Sequence, residues 1–293
     1  MFRLAHLSDP HVRSFAGVQL RDFLGKRAVG GLNLLLFRRR KHRPELLKDM
    51  QADLMTRAPD HLAVTGDLSN LSLEGEWRAA LQWIEGLGWG PDRITVIPGN
   101  HDAYVREAVQ SGGFERLFAA YQKAELREAG ESYPFVRLRG EVALVGVCTC
   151  VPTGDLGAWG QIGEAQLARL ERLLTAPEVA GRTRVLLIHH PPVAHQPPEN
   201  RNLRDRGALA SLLARTGCEL VLHGHDHRDE FAQLDGPSRG IPVFGAGSAS
   251  YSGSPERRSR YNVYEIEGRS ITAVIYAHDP STGRYLEVGR RAV

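Results

Sequence analysis

Cysteine is nearly absent, with only Cys148, Cys150 and Cys218 in 293 residues. The set is odd, sparse and without metal-site spacing, so a disulfide framework is excluded. Each lies in an apolar, strand-like run and reads as a reduced core thiol, which fits a reducing compartment. No stretch approaches the roughly 18 apolar residues of a membrane span. The opening Met-Phe-Arg-Leu-Ala-His-Leu-Ser-Asp-Pro lacks the charged region and apolar core of a secretion signal, so a cytoplasmic location is expected. Excess charge is missing too, and a formal +3 is too small to argue for nucleic acid. There is no internal repeat and no low-complexity linker.

What is present is ordinary globular material, 42% hydrophobic and 24% charged, ample for a core. One large domain over residues 1–293 is expected. Its charge is uneven: residues 21–43 hold eight Lys or Arg against one Asp, a balance of +7 that leaves −4 for the rest. Residues 12–43 read as an insertion in which the apolar Gly31-Leu-Asn-Leu-Leu-Leu-Phe37 adjoins the basic Arg38-Arg-Arg-Lys-His-Arg43.

One event recurs along the chain. The β-branched run Ile94–Ile97 reads as a buried strand that Pro98-Gly99 stops, delivering Asn100, His101 and Asp102 onto a tight loop at its carboxyl end, where open α/β sheets keep their chemistry. An Asn amide oxygen can ligate a hard cation, and His can carry a proton. Phe2–Leu7 runs likewise into Ser8-Asp9-Pro10-His11, whose Asp9 and His11 point to one side of an extended segment and can converge on one cation. His61–Thr65 runs into Gly66-Asp67, Val185–Ile188 into His189-His190, and Glu219–Leu222 into His223-Gly-His-Asp-His227.

Helical spacing marks the connections: Pro44 to just before Pro59, Glu74–Leu87, Ser111–Ala129, residues 163–174 and Leu203–Thr216. A hairpin about Arg139-Gly140 adds an antiparallel portion. No helix is expected after residue 217, and the tail from about 229 reads as a β-rich layer completing a second sheet. Strand and helix alternate as layered α/β folds require.

Collected, the strand ends offer three carboxylate or amide oxygens (Asp9, Asp67, Asn100) and four imidazoles (His11, His189, His225, His227), with His101 set apart as a proton carrier. That is enough for two ions of mixed N/O coordination sharing one bridging carboxylate. Such a site suits borderline divalent metals better than Ca²⁺ or structural zinc.

The order Asp-x-His, Gly-Asp, Gly-Asn-His-Asp, His, Gly-His-x-His over residues 9–227 resembles the calcineurin-like metallophosphoesterase superfamily, nearest in motif to its class III cyclic-nucleotide phosphodiesterases. The resemblance implies an αββα sandwich of two mixed β-sheets flanked by helices. It also implies two divalent metal ions (Mn, Fe or Zn), one held by Asp9, His11, Asp67 and His227 and the other by Asp67, Asn100, His189 and His225. The pair would acidify a bridging water for attack on phosphorus, with His101 catalytic and Asp102 orienting it.

The expected substrate is a small phosphodiester, a cyclic nucleotide among the candidates. One alternative is a lipid-linked phosphodiester or pyrophosphate, as in the lipid A diacylglucosamine pyrophosphatase branch, although that branch carries Arg where His101 stands. Under it, residues 31–43 would meet an anionic lipid or the inner face of the membrane. A further alternative is a non-catalytic binding module, against which an intact His101 argues. A homodimer stays open and nucleic acid is disfavoured as a partner. His6, His42, His61, His190, His195, His223 and His278 read as loop or supporting residues, and Gly245–Ser250 as a plain loop or a phosphate cradle.

Overall fold

Short apolar runs that stop at proline or glycine form the inner strands, because a segment buried on both faces needs no polar alternation. The computed structural model describes residues 1–14, 16, 18–19, 26–33, 41–154, 157–193 and 199–293. In chain order its strands are Phe2–Leu7 (β1), His61–Thr65 (β2), Ile94–Ile97 (β3), Leu126–Arg127 (β4), Phe135–Arg139 (β5), Val142–Gly146 (β6), Thr183–Leu187 (β7), Leu220–His223 (β8), Glu230–Leu234 (β9), Ile241–Gly245 (β10), Arg260–Glu267 (β11), Ser270–Asp279 (β12) and Arg284–Ala292 (β13). The helices are Lys26–Asn33 (α1), Pro44–Arg57 (α2), Glu74–Glu85 (α3), Arg106–Ser111 (α4), Gly113–Leu117 (α5), Glu164–Thr175 (α6), Pro177–Ala180 (α7) and Arg206–Thr216 (α8).

Two mixed sheets result, in the orders β13-β12-β11-β1-β2-β3 and β4-β5-β6-β7-β8-β10-β9. Between them lies an apolar layer to which Leu4, Ala63 and Ile97 contribute from the first sheet and Leu144, Val185, Leu187 and Leu222 from the second. The opposite face of the first sheet, with Ala5, Leu7, Val64 and Val96, is covered by Leu47, Met50 and Leu54 of α2 and Trp77, Ala80 and Ile84 of α3. Leu170 and Leu174 of α6 and Leu209 and Leu213 of α8 cover Val145, Leu186 and Val221 of the second. Helix, sheet, sheet, helix is the expected αββα order.

Two expectations need correction. The tail does not complete one sheet: β9 and β10 extend the second, while β11, β12 and β13 extend the first, where β11 runs antiparallel to β1. Nor is Ser111–Ala129 one helix. Gly112 adopts a left-handed φ of 59° that separates α4 from α5, and a 3₁₀ turn at Ala119–Gln122 and strand β4 follow. The core face was correctly read, since Phe114, Phe118 and Tyr121 are buried. Of the insertion, α1 and residues 41–43 are placed, whereas Leu34–Phe37 and Arg38–Arg40, and likewise His195, lie outside the described residues. Among the described residues no helix is long and apolar enough to cross a membrane.

Candidate metal centre

Parallel registers bring the motif-bearing strands to an even edge: Thr65 pairs with Ile97 and Leu187 with Leu222. The two sheets are then tied together at that edge. His189 Nδ1 lies 2.7 Å from the Thr65 carbonyl oxygen, and the His225 amide donates to Asp9 Oδ2 at 3.1 Å.

Tight reversals at the strand ends turn the side chains inward. Asp9 (φ 55°), His11 (45°), Asp67 (53°), His225 (74°) and His227 (54°) all adopt the left-handed backbone region. Non-glycine residues enter it at a cost of about 1–2 kcal/mol. Such backbone persists only where the surroundings over-determine it, typically at functional sites. Two glycines permit the loops to meet: a Cβ on Gly99 would lie 2.2 Å from the Asp67 amide nitrogen, and one on Gly224 would lie 1.8 Å from Ser8 Oγ.

The seven candidate ligands fall into two groups. In one, His11 Nε2 and His227 Nε2 are 3.1 Å apart, His227 Nε2 is 3.1 Å from Asp9 Oδ1, and His11 Nε2 is 3.8 Å from Asp67 Oδ2. The ligand atoms of Asp9, His11, Asp67 and His227 all lie within 4.8 Å of one another. In the other, Asn100 Oδ1 is 3.1 Å from His189 Nε2 and 2.8 Å from His225 Nδ1, and His189 Nε2 is 3.4 Å from Asp67 Oδ1. Asp67 therefore turns one oxygen to each group.

The donor set fits divalent ions. With Nδ1 of His189 donating to the Thr65 carbonyl, a neutral ring turns an unprotonated Nε2 toward the Asn100 and Asp67 oxygens, a cluster of lone pairs that a cation would satisfy. His225 Nε2 is buried without a hydrogen-bond partner, and buried Asp9 Oδ1 faces His227 Nε2 at 3.1 Å without hydrogen-bond geometry. Separations near 3 Å match ligands about 2.1 Å from a common ion. Backbone carbonyls aim the rings: His11 Nδ1 sits 3.2 Å from the Ser69 oxygen, as His189 Nδ1 sits on Thr65, leaving each Nε2 turned to the centre. Burial alone would push the Asp67 carboxyl up, but His189, His101 and His11 hold it well below the usual carboxylate range. Burial lowers His189, yet Asp67 raises it to about 9. For His225, burial with His190 and His189 alongside pushes the imidazole well below its usual value.

His101 is half-buried beside this centre, its amide donating to Asp67 Oδ1 at 2.7 Å. Its orienting contact is not the expected one. His101 Nδ1 meets the Asn70 carbonyl oxygen at 2.6 Å, and the ring stacks on Tyr104 with centroids 5.4 Å apart and planes 9° from parallel. The Asp102 carboxylate accepts instead from the Leu68, Ser69 and Gly99 amides and the Ser69 hydroxyl. A turn that returns the Asp102 amide to the Gly99 carbonyl points the side chain inward, so it ties the Asp67 loop to the Asn100 loop. Burial and then the Asp67 charge push it up to about 6.

Supporting residues came largely from outside the motifs. Gly245–Ser250 is scaffold: the Ala249 amide donates to Ser8, and Ser248 Oγ donates to the Asp9 carbonyl at 2.7 Å. His190 is locked between Thr149 Oγ1 and the Ala158 carbonyl, as a supporting residue should be. Helix α1 borders the centre, with Lys26 Nζ 4.4 Å from the Tyr104 ring centroid and Arg27 donating to the Leu71 and Ser72 carbonyls. A serine loop and a backbone carbonyl carry no residue-type signal for such roles.

Glu76 holds the loop that presents Asn70, accepting from the Leu71 and Leu73 amides at 2.8 and 3.3 Å. Burial raises its carboxyl to about 7. Between the ordinary Glu value and that point the unfolded chain gives up a proton that the folded chain keeps, so stability falls as pH rises. The loss is on the order of 3 kcal/mol. Thermal denaturation from pH 4.5 to 8 should show this decline in the wild type and a flatter profile in Glu76→Gln. Parallel profiles would refute it.

Comparison with known proteins gives a family and a fold. The profile of the calcineurin-like phosphoesterase family matches residues 2–229. A cAMP/cGMP dual specificity phosphodiesterase of Mycobacterium tuberculosis is 26% identical over 260 residues, covering 85% of this chain and 68% of that protein. Among solved structures, a dimetal phosphatase from Danio rerio superposes with a TM-score of 0.63 at 12% identity, over 100% of this chain and 98% of that one. Purple acid phosphatase PPD1 from yellow lupin seeds gives 0.61 at 13% identity, over 99% and 53%. At these identities the structural likeness speaks to the fold alone.

Proposed function

We propose, from the premise that this chain belongs to the calcineurin-like phosphoesterase family and is a metal-dependent phosphoesterase, that it hydrolyses small phosphodiesters, cyclic nucleotides among them, at a two-metal centre. The observation that carries the reading is Asp67, whose two oxygens face two separate ligand groups. Asp9, His11, Asp67 and His227 would hold one ion, and Asp67, Asn100, His189 and His225 the other. Two divalent ions so held supply an acidified water and offset charge developing on the phosphoryl group.

The remaining chemistry belongs to the chain. His101, partly exposed at the mouth, protonates the leaving oxygen. The Asn70 carbonyl keeps a proton on Nδ1, leaving Nε2 to deliver the other. Tyr104 fixes the ring plane, while Asp102 and Ser69 hold the two loops together. Support for a phosphodiester over a monoester comes from the Asn100-His101-Asp102 motif and the phosphodiesterase relative. The lipid-linked alternative draws on residues 31–43, of which 34–40 lie outside the described residues.

A substrate panel with Mn²⁺ supplied tests the reading. Bis-p-nitrophenyl phosphate and cyclic nucleotides should turn over faster than p-nitrophenyl phosphate, and chelation should abolish all activity. A preference for the monoester, or for a nucleotide-linked lipid only in detergent, would overturn it.

A further inference from the structure

His42 approaches the metal centre although no family motif includes it. The residue is buried, and its segment is clamped to the loop after β10, the Arg43 amide donating to the Ser250 carbonyl and the Ser252 amide to the Lys41 carbonyl, while Arg13 Nη2, from the loop after β1, donates to the His42 carbonyl. His42 Nδ1 lies 2.8 Å from Ser250 Oγ, the kind of outer contact that sets a metal-binding ring. Its ring stands edge-on to His11 and His227, with centroids 4.6 and 5.4 Å away. Ligand nitrogens of His11, His42 and His227 lie within 4.8 Å of one another. That group overlaps the Asp9, His11, Asp67 and His227 group without merging with it.

We propose that His11, His42 and His227 form a second, overlapping seat for a borderline divalent cation such as Zn²⁺, and that filling it inhibits hydrolysis by withdrawing two imidazoles from the seat containing Asp9 and Asp67. The inhibitory half of this rests on the two-metal reading above, while the seat itself does not. The two seats differ in chemistry. Three imidazoles suit Zn²⁺ or Cu²⁺, whereas two imidazoles with two carboxylates also suit Mn²⁺. They exclude one another, since a tetrahedral Zn²⁺ needs its nitrogens about 3.4 Å apart, which draws His11 and His227 toward His42 and away from the carboxylates. His227, with its side chain 16% exposed, leaves the shared edge open to incoming ions.

The test titrates Zn²⁺ into Mn²⁺-loaded protein, following free Mn²⁺ by electron paramagnetic resonance and bis-p-nitrophenyl phosphate hydrolysis. Excess Zn²⁺ should release Mn²⁺ as turnover falls. In His42→Ala, and in His42→Phe, which keeps a ring in the same space, the inhibiting concentration relative to each variant's own Mn²⁺ rate should rise about tenfold or more. Equal inhibition of all three proteins, or inhibition without Mn²⁺ release, would overturn the proposal. A separate arm uses Asp67→Ala, which lacks the carboxylate shared by the two proposed metal sites. Zn²⁺ binding by Asp67→Ala, measured calorimetrically, should weaken about tenfold when His42→Ala is added. No weakening there rejects the seat, whereas weakening there together with a wild type that lacks phosphoesterase activity rejects only the functional reading.

Discussion

Asp67→Ala is expected to lose both ions of the proposed bridged pair and with them phosphoesterase activity, where the wild type is expected to carry two ions per chain. Asp67 Oδ2 faces the His11 and His227 group, Oδ1 faces His189, and no other carboxylate among the described candidate ligands turns to both. Truncation removes a ligand from each ion and takes away the carboxylate oxygen 3.4 Å from His189 Nε2. Asp67→Asn separates the two effects: it keeps an oxygen and the shape but loses the charge, and should retain metal weakly. Elemental analysis after gel filtration decides the matter. An Asp67→Ala protein holding nearly two ions would end the bridging assignment.

His101→Ala is the complementary result. Both metals should remain, because no atom of the His101 side chain belongs to either ligand group. Turnover should fall by about 10² to 10⁴, the range for a positioned acid or base. The loss should be largest for alkyl esters and smallest for p-nitrophenyl esters, whose leaving oxygen needs little protonation. Tyr104→Leu offers a finer control, since removing the stacked ring loosens His101 without removing it and should cost less. An equal loss across leaving groups would point to a role in binding the phosphoryl oxygens instead.

Much of this centre was legible because its residues follow apolar strands at once. Asp9, Asp67, Asn100, His189 and His225 each stand within a few positions of a strand end, and parallel pairing aligns those ends without long-range information. The supporting contacts were hidden for an equally physical reason. The Asn70 and Thr65 carbonyls belong to the backbone, which carries no residue-type signal. His42 meets Ser250 only because the fold brings together residues 208 apart. The edge strands escaped too: β9 and β13 are largely solvated, Val288 is 59% exposed, and β13 carries three arginines, so neither reads as an apolar run. Charge of that kind protects a sheet edge from pairing with another chain. The helix expected over Ser111–Ala129 lost its first turn at Gly112 and ended at Phe118, whose φ of −99° and ψ of 12° leave the helical region before the 3₁₀ turn.

The left-handed backbone at Asp9, His11, Asp67, His225 and His227 sets function against robustness in this chain. Glycine tolerates that conformation without penalty, so each of these positions offers a route to a sturdier fold that is also a route to an inert one. Several such steps together would rival the net stability of an ordinary domain, about 5–15 kcal/mol. Selection for endurance alone, with metal scarce, would erase this centre first and leave the αββα frame standing. If these five residues hold metal as proposed, ligand binding energy would keep them from drifting to glycine, and a lineage that ceased to acquire metal would lose the reason to hold them.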